Sequence, residues 1–143
     1  MSTEVKKIVF QNKELLNQAF EIRKKVFVEE QNTDAEEEFD SLDEEAIHYL
    51  VIFKGISAAT GRRRITTEGH KLERFAVLKK FRGNRLAVAL MNEMLKDVLP
   101  DEKKVYLYAQ AYAEKFYEKF GFKREGEMFI EANIEHYKMG YMK

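Results

Sequence analysis

The stretch LERFAVLKKFRGNRLAVAL, Leu72 to Leu90, joins an apolar strand pattern to a helical one through a short basic turn. A strand, a donor-rich turn and a helix N-terminus together make a place for an anion. The first N–H groups of a helix have no internal partner, and the helix dipole adds about half a positive charge there. An anion site, phosphate in the first instance, is the primary expectation, with the rest of the chain supporting the junction or facing it as a substrate wall.

Composition narrows the classes of function. With 143 residues and 45% apolar content, one domain over residues 1–143 with a sizeable core is expected. The 25 basic and 25 acidic residues cancel, so no overall field holds a polyanion, and nucleic acid is a poor default partner. Zero cysteines exclude disulfides, thiolate metal sites and a cysteine nucleophile. No run approaches the roughly 20 apolar residues of a membrane span, and the start has no signal-peptide apolar region, so a cytoplasmic protein away from membranes is expected.

Working outward from the junction, Val5 to Phe10 reads as a first strand, and Leu15, Ala19, Ile22 and Val26 recur at helical spacing to about Glu29. Gln31 to Glu45 carries eight carboxylates; it reads as a loop that is either a solvated face or an acidic wall attracting an amine. Ala46 to Phe53 is an apolar run suited to a strand covered on both faces. Ile56 to Thr67 is a further strand in which Gly61 predicts a bulge or close backbone approach. Its Arg62, Arg63 and Arg64 fit either an outward-facing strand edge or an anion contact.

On the other side of the junction, Leu86, Leu90, Met94 and Val98 continue a helix that stops before Pro100. Val105 to Ala109 is a strand, and Ala113 to Phe120 a short helix ended by Gly121. Two strands, Phe122 to Ile130 and Ile134 to Met142, turn around Ala132 and Asn133. The strands flanking the Leu86 helix are expected to be parallel and those joined by tight turns antiparallel. This gives an α/β fold, a mixed and mostly antiparallel twisted sheet of about six to seven strands with helices on both faces.

Four segments, in this order and spacing, carry a family resemblance: IRKKVFVEEQ (Ile22 to Gln31), LERFAVLKKFRGNRLAVALM (Leu72 to Met91), YLYAQAYAEKFYEKFGF (Tyr106 to Phe122) and GEMFIEANIEHYKM (Gly126 to Met139). Over nearly its whole length the chain resembles a GNAT acyltransferase, most closely the ElaA-like branch of small N-acetyltransferases. The resemblance implies transfer of an acetyl group from acetyl-CoA to a primary amine of a small molecule or peptide, by direct attack in a ternary complex. It implies a donor site in which Phe75, Ala76 and Val77 meet the pantetheine arm, with Gln110 and Phe116 beside them. The turn Arg82, Gly83, Asn84, Arg85, Leu86 and Ala87 would wrap the pyrophosphate.

Arg85 departs from the family pattern, standing where a glycine is usual. If that position needs a positive φ, the side chain costs roughly 1–2 kcal/mol. If it needs close approach to phosphate, a Cβ clashes; with an ordinary φ the guanidinium instead offers a charge-assisted bond.

Acetyl transfer needs a neutral amine, donors for the oxyanion and a proton for the departing thiolate. By the resemblance, Tyr117 supplies that proton. Periodicity alone also allows a packed aromatic there. Glu73 is the leading base and, by strand alternation, shares a face with Phe75 and Val77. Glu29 and Glu30 compete with it, as does a water-mediated route. His48 and His136 are assigned to the acceptor pocket along with Glu29 and Glu30. The three histidines are too scattered for a metal site, so no metal is expected. A non-catalytic acyl-CoA-binding module is the main alternative; an arginine-based nucleic-acid binder is a third. A homodimer is open by symmetry alone.

Overall fold

The computed structural model describes residues 3–143. Chain order runs β1 (Thr3–Ile8), α1 (Lys13–Arg23), a π-helical continuation (Lys24–Glu30), α2 (Ala35–Glu38), a 3₁₀ turn (Ser41–Glu45), β2 (Ile47–Phe53), β3 (Ile56–Thr66) and β4 (Gly69–Val77). A 3₁₀ turn (Lys79–Phe81) leads to α3 (Leu86–Val98), then β5 (Val105–Gln110), a 3₁₀ turn (Ala111–Ala113), α4 (Glu114–Glu118), β6 (Phe122–Arg124), β7 (Phe129–Glu131) and β8 (Ile134–Tyr141).

These strands form one mixed sheet in the order β1-β2-β3-β4-β5-β8-β6, with β7 also pairing to β8. Only β4 and β5, the strands either side of α3, run parallel; the other pairs are antiparallel. The described residues form eight strands rather than the expected six to seven, because the segment from Phe122 to Ile130 breaks into β6 and β7, which pair with opposite ends of β8. Ala132 and Asn133 both have positive φ, 52° and 63°, as a two-residue hairpin turn requires.

Apolar residues divide between the faces by strand parity. On one face Leu16, Ala19, Ile22 and Val26 of the first helix bury against Ile8, Leu50 and Ala76. On the other, Leu86, Leu90, Met91 and Met94 of α3 pack on Tyr49, Val51, Ala59 and Leu72. α3 approaches the sheet at Gly61, where a Cβ would lie 3.0 Å from Leu90 Cδ2.

The expected bulge occurs opposite Gly61, with the extra residue on β4. Thr60 pairs with Ala76 and Arg62 with Glu73, so one residue of β3 faces two of β4, and Arg74 adopts φ 61°. This resets the alternation. Glu73 shares its face with Ala76, towards α1, while Phe75 and Val77 join Leu72 on the α3 side. The simple alternation expected from the sequence, with Glu73, Phe75 and Val77 on one face, is therefore corrected.

The arginine run is not at a strand edge, since β3 lies between β2 and β4. The acidic segment is neither a purely solvated face nor a free acidic wall. Arg23, buried on the α1 face, donates to Glu38 Oε2 and Asp43 Oδ1, both at 2.7 Å, and to the Glu38 carbonyl at 2.6 Å. Arg62 donates to the same Asp43 oxygen at 2.7 Å and to Asp40 at 2.9 Å. Glu38, Asp40 and Asp43, three of its eight carboxylates, are thereby pinned to the helix and sheet, with Asp34, Glu36, Glu37, Glu44 and Glu45 left exposed.

Candidate active site

β4 and β5 pair only at His70–Val105, Lys71–Tyr106 and Leu72–Leu107, although β4 continues to Val77 and β5 to Gln110. Beyond the bulge the two strands diverge. The gap opens into a cavity of about 800 Å³ that reaches from Arg82 and Ala87 at one end to Glu131 and His136 at the other. The β4 edge facing this gap, from Glu73 to Val77, has no strand partner, so its backbone amides are available to an extended ligand in the manner of strand addition.

The turn closing one end is built for an anion. Arg85 is the N-cap of α3 with φ 59° and ψ 30°, in the left-handed region, and it provides no side-chain cap. Its carbonyl accepts the first intrahelical bond, from Ala89 N at 3.2 Å, which leaves the N–H groups of Leu86, Ala87 and Val88 without helical partners. No carboxylate stands in the first turn of α3 to occupy them. Asn84 Nδ2 donates to the Phe81 carbonyl at 2.9 Å and shapes the turn. Gly83, Asn84 and Arg85 are exposed, Leu86 is buried in the core, and Arg82 and Ala87 line the cavity.

Arg82 ties the turn to two other elements. Its Nε donates to the Val77 carbonyl at 3.0 Å, and its two terminal nitrogens hold the Glu30 carboxylate at 2.7 and 2.8 Å. That hydrogen bonding, aided by the charges of Arg82 and Lys79 and opposed by slight burial, lowers the Glu30 carboxyl below its ordinary range. Beside it, Gln110 Nε2 donates to Gln31 Oε1 at 3.0 Å, joining the end of β5 to the end of the first helix. The π-helical turn, closed by Gln31 N on the Val26 carbonyl at 3.0 Å, brings Glu30 and Gln31 to the cavity, whereas Glu29 is exposed away from it.

Tyr117 lines the cavity and is 8% exposed. Phe75, Phe116 and Phe122 hold its ring, with centroids 5.7, 5.2 and 6.3 Å away. Burial pushes its phenol well above the ordinary tyrosine range, so the hydroxyl keeps its proton at neutral pH.

At the far end Glu73 is the centre of a cation cluster. Its Oε2 accepts from Arg62 Nε at 2.7 Å, Arg62 Nη2 and Arg64 Nε at 2.8 Å, and its Oε1 lies 3.3 Å from Lys71 Nζ. Burial works to raise this carboxyl, but Arg62, Arg64 and Lys71 outweigh it and hold it below the ordinary range. Burial pulls the Lys71 ammonium below the ordinary lysine range despite Glu73 beside it, and the ammonium lies 3.9 Å over the Tyr108 ring. Arg74 adds a fourth cation, bonded to Asp40 at 3.2 Å.

The structure thus brings Glu30, Glu73, Phe75, Ala76, Val77, Arg82, Ala87, Gln110, Phe116, Tyr117 and His136 around one cavity. His48 is elsewhere, 1% exposed, its Nε2 2.9 Å from the Asp43 carbonyl. Lys71, Arg74, Gln31 and Tyr108 also line the cavity without having been singled out from the sequence. The bulge places Arg74 there and the π-helical turn Gln31, which a plain period does not reveal, whereas Lys71 and Tyr108 come from the regular register of β4 and β5. Among the described residues no group of three or more His, Cys, Asp or Glu side chains is placed to hold a metal. No helix among them is long and apolar enough to cross a membrane.

In this mixed sheet the two parallel strands part over a helix N-terminus. The family model for an acetyltransferase (GNAT) domain matches residues 10–143, and the chain belongs to that family. It is 36% identical over 137 residues to the Bacillus subtilis (strain 168) protein named uncharacterized N-acetyltransferase YjcF, covering 94% of this chain and 98% of the relative. Among solved structures it is similar to Escherichia coli ElaA, with TM-score 0.87 and 28% identity over 97% of this chain and 99% of ElaA. An acyl-CoA N-acyltransferase from Pseudomonas aeruginosa superposes with TM-score 0.86 and 26% identity, over 99% of this chain and 100% of that one.

Proposed function

We propose that this acyltransferase uses acetyl-CoA as donor and acetylates a primary amine by direct attack in a ternary complex. The observation that carries this reading is one continuous cavity lined both by Ala87, at an α3 N-terminus with three N–H groups lacking helical partners, and by Tyr117. The diphosphate lies on the N–H groups of Leu86, Ala87 and Val88, where the α3 dipole favours negative charge. The pantetheine arm pairs with the free edge of β4 near Phe75 and Val77. Its sulfur comes within reach of Tyr117.

Tyr117 then donates its proton as sulfur departs. The burial that makes the phenol a weaker acid here than in water also disfavours a bare thiolate at the same place, so donation to sulfur is matched to the site. Glu73, already accepting from Arg62 and Arg64 and paired with Lys71, serves as the anchor of the acceptor wall. No covalent enzyme intermediate is needed. We place the reaction in the cytoplasm, where acetyl-CoA is made and used.

Because the chain has no cysteine, a thiol reagent reports only the CoA released. Acetyl-CoA offered with polyamines, amino sugars, α-amino acids and short peptides is expected to yield thiol with at least one class. Tyr117→Phe should lower that turnover by about 100-fold or more while CoA still binds. CoA binding with no thiol release from any of these amines would instead favour a non-catalytic acyl-CoA-binding module. Unchanged turnover in Tyr117→Phe would remove the phenol from the mechanism.

A further inference from the structure

His136 sits on β8 opposite Gln110 of β5 and opposite Phe129 of β7. It is 7% exposed, and its ring stacks on Phe129 with centroids 5.6 Å apart and planes 21° from parallel. Nδ1 lies 2.7 Å from the Ile134 carbonyl. A carbonyl oxygen only accepts, so Nδ1 carries the proton, and in the neutral ring Nε2 holds the lone pair. Nε2 has no hydrogen-bond partner among the described residues, yet it is not among their buried unpaired polar atoms. The residue lines the cavity, and of its two ring nitrogens Nε2 is the one left free to take a partner.

The cavity's carboxylates are poorly placed to compete. Glu73 is shared by Arg62, Arg64 and Lys71; Glu38 is taken by Arg23, Asp40 by Arg62 and Arg74, and Glu30 by Arg82. Glu37 and Glu131 are exposed to water. A carboxylate clasped by guanidinium groups loses those bonds on taking a proton, and Glu73, Asp40 and Glu30 are held below the ordinary range; burial raises Glu38 instead, but its Oε2 is engaged by both Arg23 and Arg74. An imidazole whose second ring nitrogen is free is suited to accept a proton. Its orientation fixed by a carbonyl behind and an aromatic face alongside follows the general pattern of an aligned base.

We propose that His136 Nε2 is the general base that deprotonates the acceptor, directly or through one water, an assignment that rests on the acetyl-transfer reading above. The acceptor ammonium gives one proton to Nε2, and the neutral nitrogen bonds to the thioester carbonyl carbon. As the C–S bond breaks, its electron pair goes to sulfur, which takes a proton from the Tyr117 hydroxyl. The proton then shed by the new amide nitrogen restores Tyr117, and His136 returns its own to solvent. Ammonium and thioester thus become amide, thiol and one free proton.

His136→Asn keeps a donor near the Nδ1 position for the Ile134 carbonyl but has no basic nitrogen. With the amine the wild type acetylates fastest, the variant is expected to lose about 100-fold or more in kcat/KM. CoA affinity should stay within about twofold, and added imidazole should restore part of the rate, which a purely structural role would not allow. Equal activity of His136→Asn and wild type overturns the assignment while leaving acetyl transfer standing. A wild type that neither binds CoA nor releases thiol is instead a failure of the acetyl-transfer reading. The ring state is read without any acceptor from the ¹⁵N spectrum of the labelled wild type, with the His136 signal assigned by through-bond correlation to its own backbone. A neutral ring protonated at Nδ1 is expected, and protonation at Nε2 overturns the assignment even if the variant does not fold.

Discussion

Arg85 holds a left-handed backbone at the start of α3 with no hydrogen bond to offset it. A non-glycine residue in that region costs roughly 1–2 kcal/mol, and glycine's greater freedom in the unfolded chain returns part of that. Arg85→Gly is therefore expected to stabilise the protein by about 0.5–1 kcal/mol, a rise in Tm of roughly 2–4 °C by calorimetry. The turn already has the geometry glycine would give it, so the N–H donors stay in place and CoA affinity should change by less than tenfold. A fall in Tm would show that the guanidinium makes contacts that outweigh the strain. The departure at Arg85 was readable in the sequence, but its backbone angle, which decides its cost, was not.

At the level of elements, the sequence carried most of the fold. The 3.6-residue spacing of Leu86, Leu90, Met94 and Val98 places α3 to within a residue, and the apolar run of β2 gives a strand covered on both faces. What stayed hidden are two one-residue irregularities. The bulge at Arg74 turns Glu73 to the other face, and the π-helical turn brings Glu30 and Gln31 to the cavity. Each adds a residue without changing the apolar pattern on either side, so periodicity passes over it. The pairing of the acidic segment with Arg23 and Arg62 was hidden for a different reason: partners 15 to 22 residues apart leave no local trace.

Glu73 tests that cluster. Glu73→Gln leaves Arg62, Arg64 and Lys71 without their shared carboxylate, and breaking a buried pair in this way costs roughly 3–5 kcal/mol at neutral pH. The sign with pH follows from the lowered carboxyl. In the unfolded chain the group takes up a proton near 4.5, while in the fold it resists protonation. Its stabilisation is present above 4.5 and is lost as pH falls through the lower folded value. Glu38 has the opposite sign, since burial raises it and its ionisation opposes folding as pH rises. The comparison of wild type with Glu73→Gln isolates the first contribution. Urea unfolding should show the gap between the two proteins narrowing below about pH 4.5. A gap constant down to pH 3 would contradict this account of the cluster.

For the molecule as a whole, α1 covers one face of the sheet and α3 the other, and β4 and β5 part where both layers meet. A ligand in that gap touches the free edge of β4, the end of β5, the α3 N-terminus and the tip of the first helix together. Its binding should therefore stabilise the whole fold. At about 100 times its Kd, a ligand that binds only the folded state adds about 2.7 kcal/mol, a rise in Tm of roughly 5–10 °C for a chain of this size. The most direct measurement is the thermal unfolding of the wild type with and without millimolar coenzyme A. A rise of several degrees that saturates with concentration is predicted, and a melting curve unmoved by millimolar coenzyme A would contradict the placement of the donor between β4 and β5.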